Sequence, residues 1–469
     1  MNIHTLRRTQ WLPRPRAEVF AFFQNPANLA KLTPPWLGFH VLTPQPLEMR
    51  AGAIFDYRVN PLGFPQYWRT LIESYDAPNG FVDTQLKGPY KLWHHTHRFE
   101  DKDGGTFITD EVRYELPFQP FGELAAGEIE RRLDAIFAYR ETAVAALFKP
   151  KEGSMKIVIA GGNGWIGRDL SRALINAGHD VVVLSRTGAP SRIPGVRTRS
   201  WLVEGAGGWE SELDGADALV NLCGEGVADR PWTAARRRRL LHSRLAPTRA
   251  LVEALGRVEK KPRVLINASA VGWYAQAGER LQAETDAAGP GFLSDLCVRW
   301  ENEARPAEKL GMRVVLLRIG VVLGRDGGAL ARMLLPFKLG LGGHLGDGRQ
   351  NFPWVHLDDV TGLILDSITN TRLRGPVNAV GPEPVTNAEF TASLGKVLRR
   401  PTPFPVPAVV LKLALGEMSS LLLGSLKIAP AAAVGAGYRF KHPFLEDALA
   451  TTVGVSQRAE SLILPSQSG

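Results

Sequence analysis

Seven residues, Gly161, Gly162, Asn163, Gly164, Trp165, Ile166 and Gly167, have the composition and spacing to hold a diphosphate. They follow a short apolar run, Lys156–Ala160, and lead into a helix-like stretch, Arg168–Ala177. One glycine permits a tight turn, one lets the backbone approach the phosphates, and one lets the helix pack closely on the strand. The anion then sits at the positive helix end, on N–H groups without an intrahelical partner. A chance glycine cluster is the competing reading. A second apolar strand, Asp180–Leu184, follows at the right distance and favours the dinucleotide site.

The end of that second strand chooses between cofactors. NAD-binding chains usually place a carboxylate there for the ribose hydroxyls, and a carboxylate would repel a 2′-phosphate. This chain has Ser185 and Arg186 instead, and a guanidinium can make a charge-assisted, bidentate contact with that phosphate. NADP is therefore expected, with NAD as the alternative. A further buried strand, Asp217–Gly224, ends in Asn221, Leu222, Cys223 and Gly224. These four resemble the Asn-x-Ala-Gly segment beside the adenosine half of the cofactor in short-chain dehydrogenases, with Cys223 in the alanine position. The helix around Ser243–Leu251 resembles the one beside the cofactor in the extended class, with Pro247 where glycine is usual, so a kink is expected there.

More segments match in order: Asn267–Tyr274, Val315–Gly324, Gly346–Gln350, Trp354–Asp359 and Val377–Gly381. With the glycine motif they resemble the epimerase-like atypical short-chain dehydrogenase family, over about residues 155–450. The resemblance implies an α/β Rossmann-type, doubly wound parallel sheet at 155–400. It also implies a small helical C-terminal cap, a domain of unknown function, at 401–450. Typical members carry Tyr-x-x-x-Lys, whose ammonium lowers the phenol pKa for proton transfer during hydride transfer. The matching segment here is Cys297-Val-Arg-Trp-Glu301, and a carboxylate one helical turn away disfavours a thiolate. The dyad's roles transfer to nothing. Ser269, Tyr274, Cys297 and Glu301 match the substrate-facing segments and are the catalytic candidates, Glu301 as a base if burial raises its pKa. Against this, Cys297 reads as a small core residue and Glu301 as a solvated or structural charge.

Asp358 or Asp359 is expected to cap a helix over Val360–Ile368, and His356 to face the substrate cleft. Arg332 and Arg349 are either a grip for an anionic substrate group or ordinary surface charge. A small-molecule substrate is expected, acted on by an NADP-dependent oxidoreductase or nucleotide-sugar-epimerase-like enzyme at a hydroxyl or carbonyl. The alternative is a non-catalytic NADP-binding sensor, which the missing dyad favours.

The first 150 residues read differently. A strand to about Leu12 and a helix from Pro15 precede five alternating segments: Ala53–Val59, Tyr67–Tyr75, Gly80–Leu86, Tyr90–Phe99 and Thr106–Leu116. A long amphipathic helix closes the set, about Ala126–Phe148. This order resembles the START-like, SRPBCC (polyketide cyclase-like) superfamily, which implies an α+β helix-grip domain over 1–150 with a cavity for an apolar ligand. His94, His95 and His97 invite a metal reading, but no third ligand at useful spacing is evident, so strand histidines lining a cavity or touching solvent are expected and no metal is assigned. Lys149–Ser154 is short, polar and breaker-containing, as a linker between two fused modules would be.

Composition bounds the rest. Hydrophobic residues make up 44% and charged residues 22% of 469, an ordinary globular balance. The net charge of +9 lies wholly after residue 154, where 38 basic face 29 acidic residues; residues 1–154 hold 18 of each. Seven arginines between Arg230 and Arg249 have no intervening acid. A solvated helix face or a phosphorylated-ligand site explains them better than nucleic acid, for which no aromatic-interleaved motif exists. Cys223 and Cys297 are the only cysteines, so no disulfide framework is expected and a cytoplasmic location is the natural reading. Four arginines before Val19 have no apolar segment behind them, so no secretory signal is read. The apolar tract Ala408–Gly437 is broken by Lys412, Glu417, Lys427 and Pro430 and is read as packed helices, with no membrane span.

Overall fold

Along Leu92–Lys102 the residues Trp93, His95, His97 and Phe99 are buried while their neighbours are not. Such period-two burial belongs to strands that cover a core on one face. Seven strands form an antiparallel sheet: β1 (His4–Leu12), β2 (His40–Val41), β3 (Ile54–Val59), β4 (Gln66–Asp76), β5 (Gly80–Lys87), β6 (Leu92–Lys102) and β7 (Gly105–Glu115). Their order is β1-β7-β6-β5-β4-β3-β2, with register shifts between β4 and β5. Two short helices, α1 (Arg16–Phe23) and α2 (Leu29–Leu32), and the long α3 (Ala126–Leu147) complete this helix-grip unit. α3 buries Leu133, Phe137 and Ala143–Ala145. Phe137 packs with Leu6, Trp93 and Tyr114, and Val144 with Phe20, Phe23 and Phe99. The computed structural model describes residues 2–44, 47–60, 65–117, 125–149, 153–203 and 208–453. Pro150, Lys151 and Glu152 of the expected linker lie outside the described residues.

From residue 156 the inner strands are continuous apolar runs buried on both faces, as a parallel sheet between helix layers requires. The sheet comprises β8 (Lys156–Ala160), β9 (Asp180–Ser185), β10 (Arg197–Ser200), β11 (Ala218–Asn221), β12 (Val264–Ala270), β13 (Arg313–Ile319) and, later, Gly375–Ala379. Its order is β10-β9-β8-β11-β12-β13 and then Gly375–Ala379, the doubly wound arrangement of Rossmann-type folds. Between the strands lie α4 (Trp165–Asn176), α5 (Ala234–Arg257) and α6 (Phe292–Ala304). α5 runs through Pro247 as one helix.

Beyond β13 come β14 (Val321–Leu323), α7 (Gly328–Lys338), β15 (Asn351–Phe352), β16 (Trp354–His356), α8 (Leu357–Thr369), β17 (Gly375–Ala379), β18 (Val385–Thr386) and α9 (Asn387–Leu398). The C-terminal part holds α10 (Ala408–Leu415), α11 (Ser420–Leu423), α12 (Ala431–Gly435) and α13 (Leu445–Val453). α13 packs Leu445, Ala448 and Leu449 with Phe390 and Leu394 of α9. The expectation of packed helices over Ala408–Gly437 is corrected in two places: neither α10 nor α11 has a buried residue, and Val409, Val410, Leu413 and Leu422 are exposed. Among the described residues no helix is long and apolar enough to cross a membrane.

The expected aspartate cap of α8 is also corrected. The N-cap is His356, whose Nδ1 accepts from the Asp358 N–H at 3.2 Å. Asp359 is buried and turned the other way, accepting from the backbone N–H groups of Lys441 and His442. His356 donates or accepts through Nε2 with Thr452, so it is part of the packing around α13 and not of an open cleft.

By contacts the chain divides into two compact units. The first is Met1–Met155 with Arg172–Val181 and Ser191–Val196, and the second is the remainder.

Candidate cofactor and active site

The turn between β8 and α4 assigns a separate task to each glycine. Gly161 has φ +79°, the left-handed region that favours glycine, and a Cβ there would lie 2.8 Å from the Leu222 backbone. A Cβ on Gly162 would meet Val183 at 2.6 Å, and one on Gly167 would lie 2.6 Å from the Gly161 carbonyl oxygen. These three are needed for packing. Gly164 differs, since its Cβ would touch only the Gly161 oxygen at 3.2 Å. Its exposed backbone is the part of the turn that a ligand can approach. A cradle of this kind fits a diphosphate at a helix N-terminus.

Asn163 donates from Nδ2 to the Ser185 hydroxyl at 3.1 Å, tying the turn to the end of β9. Arg186 follows, exposed. No acidic residue stands at Ser185 or Arg186, so the charge there suits a phosphate. Asn221 is fully buried and donates to Thr248 at 2.8 Å and Asn267 at 2.7 Å, while its Oδ1 accepts from the Cys223 N–H at 3.1 Å. That holds Leu222, Cys223 and Gly224 in place beside Gly161. Burial pushes the Cys223 thiol up to about 12, with Arg186 pulling the other way. Trp165 and Ile166 are half-buried, and the Trp165 ring packs against Gly324, Gly327 and Gly328, where any Cβ would strike it.

The catalytic candidates converge, but on a residue outside that set. Ser269 donates to Glu301 Oε1 at 2.8 Å. Arg318 on β13 donates to both Glu301 oxygens, at 2.8 and 3.1 Å, and to the Tyr274 hydroxyl at 3.0 Å. Tyr274 in turn donates to Asn378 at 2.7 Å. The Arg318 guanidinium also lies 3.8 Å from the Trp273 ring centroid. Glu301 is 0% and Arg318 1% exposed, so this is a buried, hydrogen-bonded ion pair with two hydroxyls attached. Burial raises the Tyr274 phenol, with Arg318 opposing.

Cys297 sits beside the knot, with its Sγ 3.6 Å from the Ala270 carbonyl oxygen. Burial first, and then the Glu301 charge, push its thiol up to about 12. It is a thiol at neutral pH, as the one-turn spacing to Glu301 suggested.

Arg318 was inside the Val315–Gly324 segment, flanked by Leu317 and Ile319. An arginine within an apolar buried strand demands a buried carboxylate, and that was the available signal. The arginine run also resolves into internal partners. Arg236 and Arg239 bind Glu225, Arg237 binds Glu417, and Arg249 binds Glu303. Arg244 is buried, donates to the Glu225 carbonyl oxygen at 2.9 Å and stacks over Trp300. The run is thus not simply a solvated face. Arg332 pairs with Asp229 at 2.6 Å, and Arg349 is exposed.

Three stretches of the chain match known families. Residues 157–379 match the NAD dependent epimerase/dehydratase family, 406–452 a domain of unknown function, and 12–137 the polyketide cyclase / dehydrase and lipid transport family. The chain is 43% identical over 295 residues to the epimerase family protein Mb2239 of Mycobacterium bovis, covering 62% of this chain and 96% of that one. The human epimerase family protein SDR39U1, solved with NADPH, is 34% identical with a TM-score of 0.59, covering 64% of this chain and 99% of that one. A nucleoside-diphosphate sugar epimerase from Corynebacterium glutamicum is 30% identical with a TM-score of 0.64. That match covers 97% of this chain and 91% of the other, and so extends over both parts.

Proposed function

The chain belongs to the epimerase family, and from that premise we propose an NADP-dependent enzyme acting on a hydroxyl or carbonyl of a small metabolite. The observation that carries the reading is the glycine cradle with a cationic, carboxylate-free strand end beside it. The human relative's NADPH supports the phosphorylated form. Gly161, Gly162, Asn163, Gly164, Trp165, Ile166 and Gly167 would hold the diphosphate, Ser185 and Arg186 the 2′-phosphate. Asn221, Leu222, Cys223 and Gly224 would flank the adenosine half. When bound, the cofactor supplies hydride chemistry.

Ser269 and Tyr274 already direct their protons to Glu301 and Asn378, and Glu301 is neutralised by Arg318. We therefore read these residues as positioning the ends of β12 and β13 beneath the ligand crevice, with Cys297 as protonated packing. Proton exchange with substrate then falls to solvent or to the substrate's own groups. We assign three modules: a ligand-binding domain at 1–150, the cofactor domain at 155–400 and a helical cap at 401–450. The N-terminal cavity would take an apolar ligand, and two free cysteines suit the cytoplasm.

A second reading, a cofactor sensor without turnover, draws on the same saturated knot. Calorimetry with NADPH and NADH, followed by NADPH consumption against a panel of carbonyl compounds, separates them. The expected result is tighter NADPH binding and consumption with some carbonyls. Binding without consumption across the panel would transfer the argument to the sensor, and binding of neither nucleotide would end both.

A further inference from the structure

The N-terminal cavity, about 210 Å³ in volume, has mostly apolar walls that include Trp68, Tyr90 and Trp93. One stretch of wall is not apolar. It presents Asp83, His95, His97 and Arg140. The sheet register makes this cluster: Asp83 on β5 is the cross-strand partner of His95 on β6, and Asp110 on β7 is the partner of His97. His95 and His97 share the cavity face because they are two apart on a strand. His94 points to the other face and lies 3.7 Å from Glu73.

We propose that Asp83, His95 and His97 bind one divalent first-row transition metal ion at the cavity wall. Asp83 Oδ2 lies 3.1 Å from His97 Nε2 and 3.5 Å from His95 Nδ1, and one ligand atom from each residue falls within 4.8 Å of the others. In a tetrahedral zinc site with bonds near 2.0–2.1 Å, neighbouring ligand atoms stand about 3.3 Å apart, close to both Asp83–histidine distances.

The outward ring nitrogens are held as metal-bound histidines usually are. His95 Nε2 lies 3.2 Å and His97 Nδ1 2.6 Å from the same oxygen of Asp110. Arg140 Nε lies 3.6 Å from the other Asp110 oxygen. A carboxylate behind each histidine fixes the tautomer and aims the remaining nitrogen at the metal. Phe81 stacks on His97 at 4.2 Å and limits its rotation. Two imidazoles and one carboxylate suit zinc, iron(II) or cobalt(II), whereas magnesium and calcium prefer all-oxygen shells. Three protein ligands leave a coordination position toward the cavity, where a polar group on an otherwise apolar ligand would bind.

The second histidine–aspartate group, His356, Asp358 and His442, lacks this freedom. His356 already uses Nδ1 to cap α8 and Nε2 on Thr452.

The test titrates the full chain, stripped with chelator, with Co²⁺ and Zn²⁺ alone. About one equivalent should bind, and the Co²⁺ form should show visible d–d absorption. Asp83→Asn and His97→Gln should weaken binding more than about tenfold, and Asp110→Asn by about 10- to 100-fold. His442→Gln should leave binding unchanged, which keeps the test decisive if the cavity variants do not fold. Absence of uptake by the wild-type chain overturns the proposal. So does full uptake by folded Asp83→Asn, or loss of uptake in His442→Gln.

Discussion

The glycine turn after β8 and the polar knot at the end of β12 serve the same sheet but are built in opposite ways. The turn spans seven consecutive residues and depends on missing side chains, since a Cβ at Gly161, Gly162 or Gly167 would strike a neighbour below 3.0 Å. The knot depends on side chains from four segments, with Ser269, Glu301, Arg318 and Tyr274 each using the others' hydrogen-bonding capacity. The first leaves exposed backbone at Gly164 open to a ligand. The second leaves almost nothing unpaired. The difference is that bare backbone lies open at one end of the crevice, while at the other the polar side chains are committed to one another.

The comparison can be broken most sharply at Glu301. Glu301→Ala leaves Arg318 charged and buried without a partner, and such losses typically cost about 3–5 kcal/mol. Denaturant unfolding should register that loss. A stable Glu301→Ala protein that still binds NADPH but gains or loses turnover specifically would show the carboxylate to be chemical and not structural.

The same contrast between packing and chemistry can be drawn with pH at His356. Burial depresses its pKa from the usual value near 6.5 to about 4. The unfolded chain then binds a proton between those values that the folded chain refuses. This contribution to stability is complete above about pH 6.5 and is lost as pH falls toward 4, up to about 3 kcal/mol. Unfolding of wild type and His356→Gln across pH 4–7 should show a shallower dependence in the variant.

Arg186→Ala sharpens the comparison from the binding side. Removing one charge-assisted contact worth about 1.5–3 kcal/mol should weaken NADPH by about 10- to 150-fold and leave NADH nearly unchanged. Equal losses for both nucleotides would remove Arg186 from the 2′-phosphate. The smallest effect is expected at Cys297. Its thiol, pushed up to about 12, supplies no thiolate, so Cys297→Ser should consume NADPH at the wild-type rate.

Legibility followed the range of each interaction. The strand–glycine turn–helix unit was readable because its determinants lie within Lys156–Asn176. The five alternating segments of the first module recur as β3 to β7 with ends shifted by at most three residues, because alternation along a strand is a local signal. β2, two residues long, carries no such period. Arg318 was visible in its strand, yet its partner Glu301 lies 17 residues away on another element, and only packing pairs them. Asp83 escaped notice as a companion of His95 because it joins the histidines through strand register, not sequence spacing.

What the chain alone determined was the longer elements and the turn whose backbone must stay bare, since steric exclusion at a glycine and periodic burial act over a few neighbouring residues. Tertiary structure decided which charges neutralise one another. It paired Arg318 with Glu301, chose His356 over two aspartates as the cap of α8, and set two histidines and two aspartates around one point in the cavity wall. Electrostatic energy in a buried site depends on distance through space, and distance through space is what folding supplies.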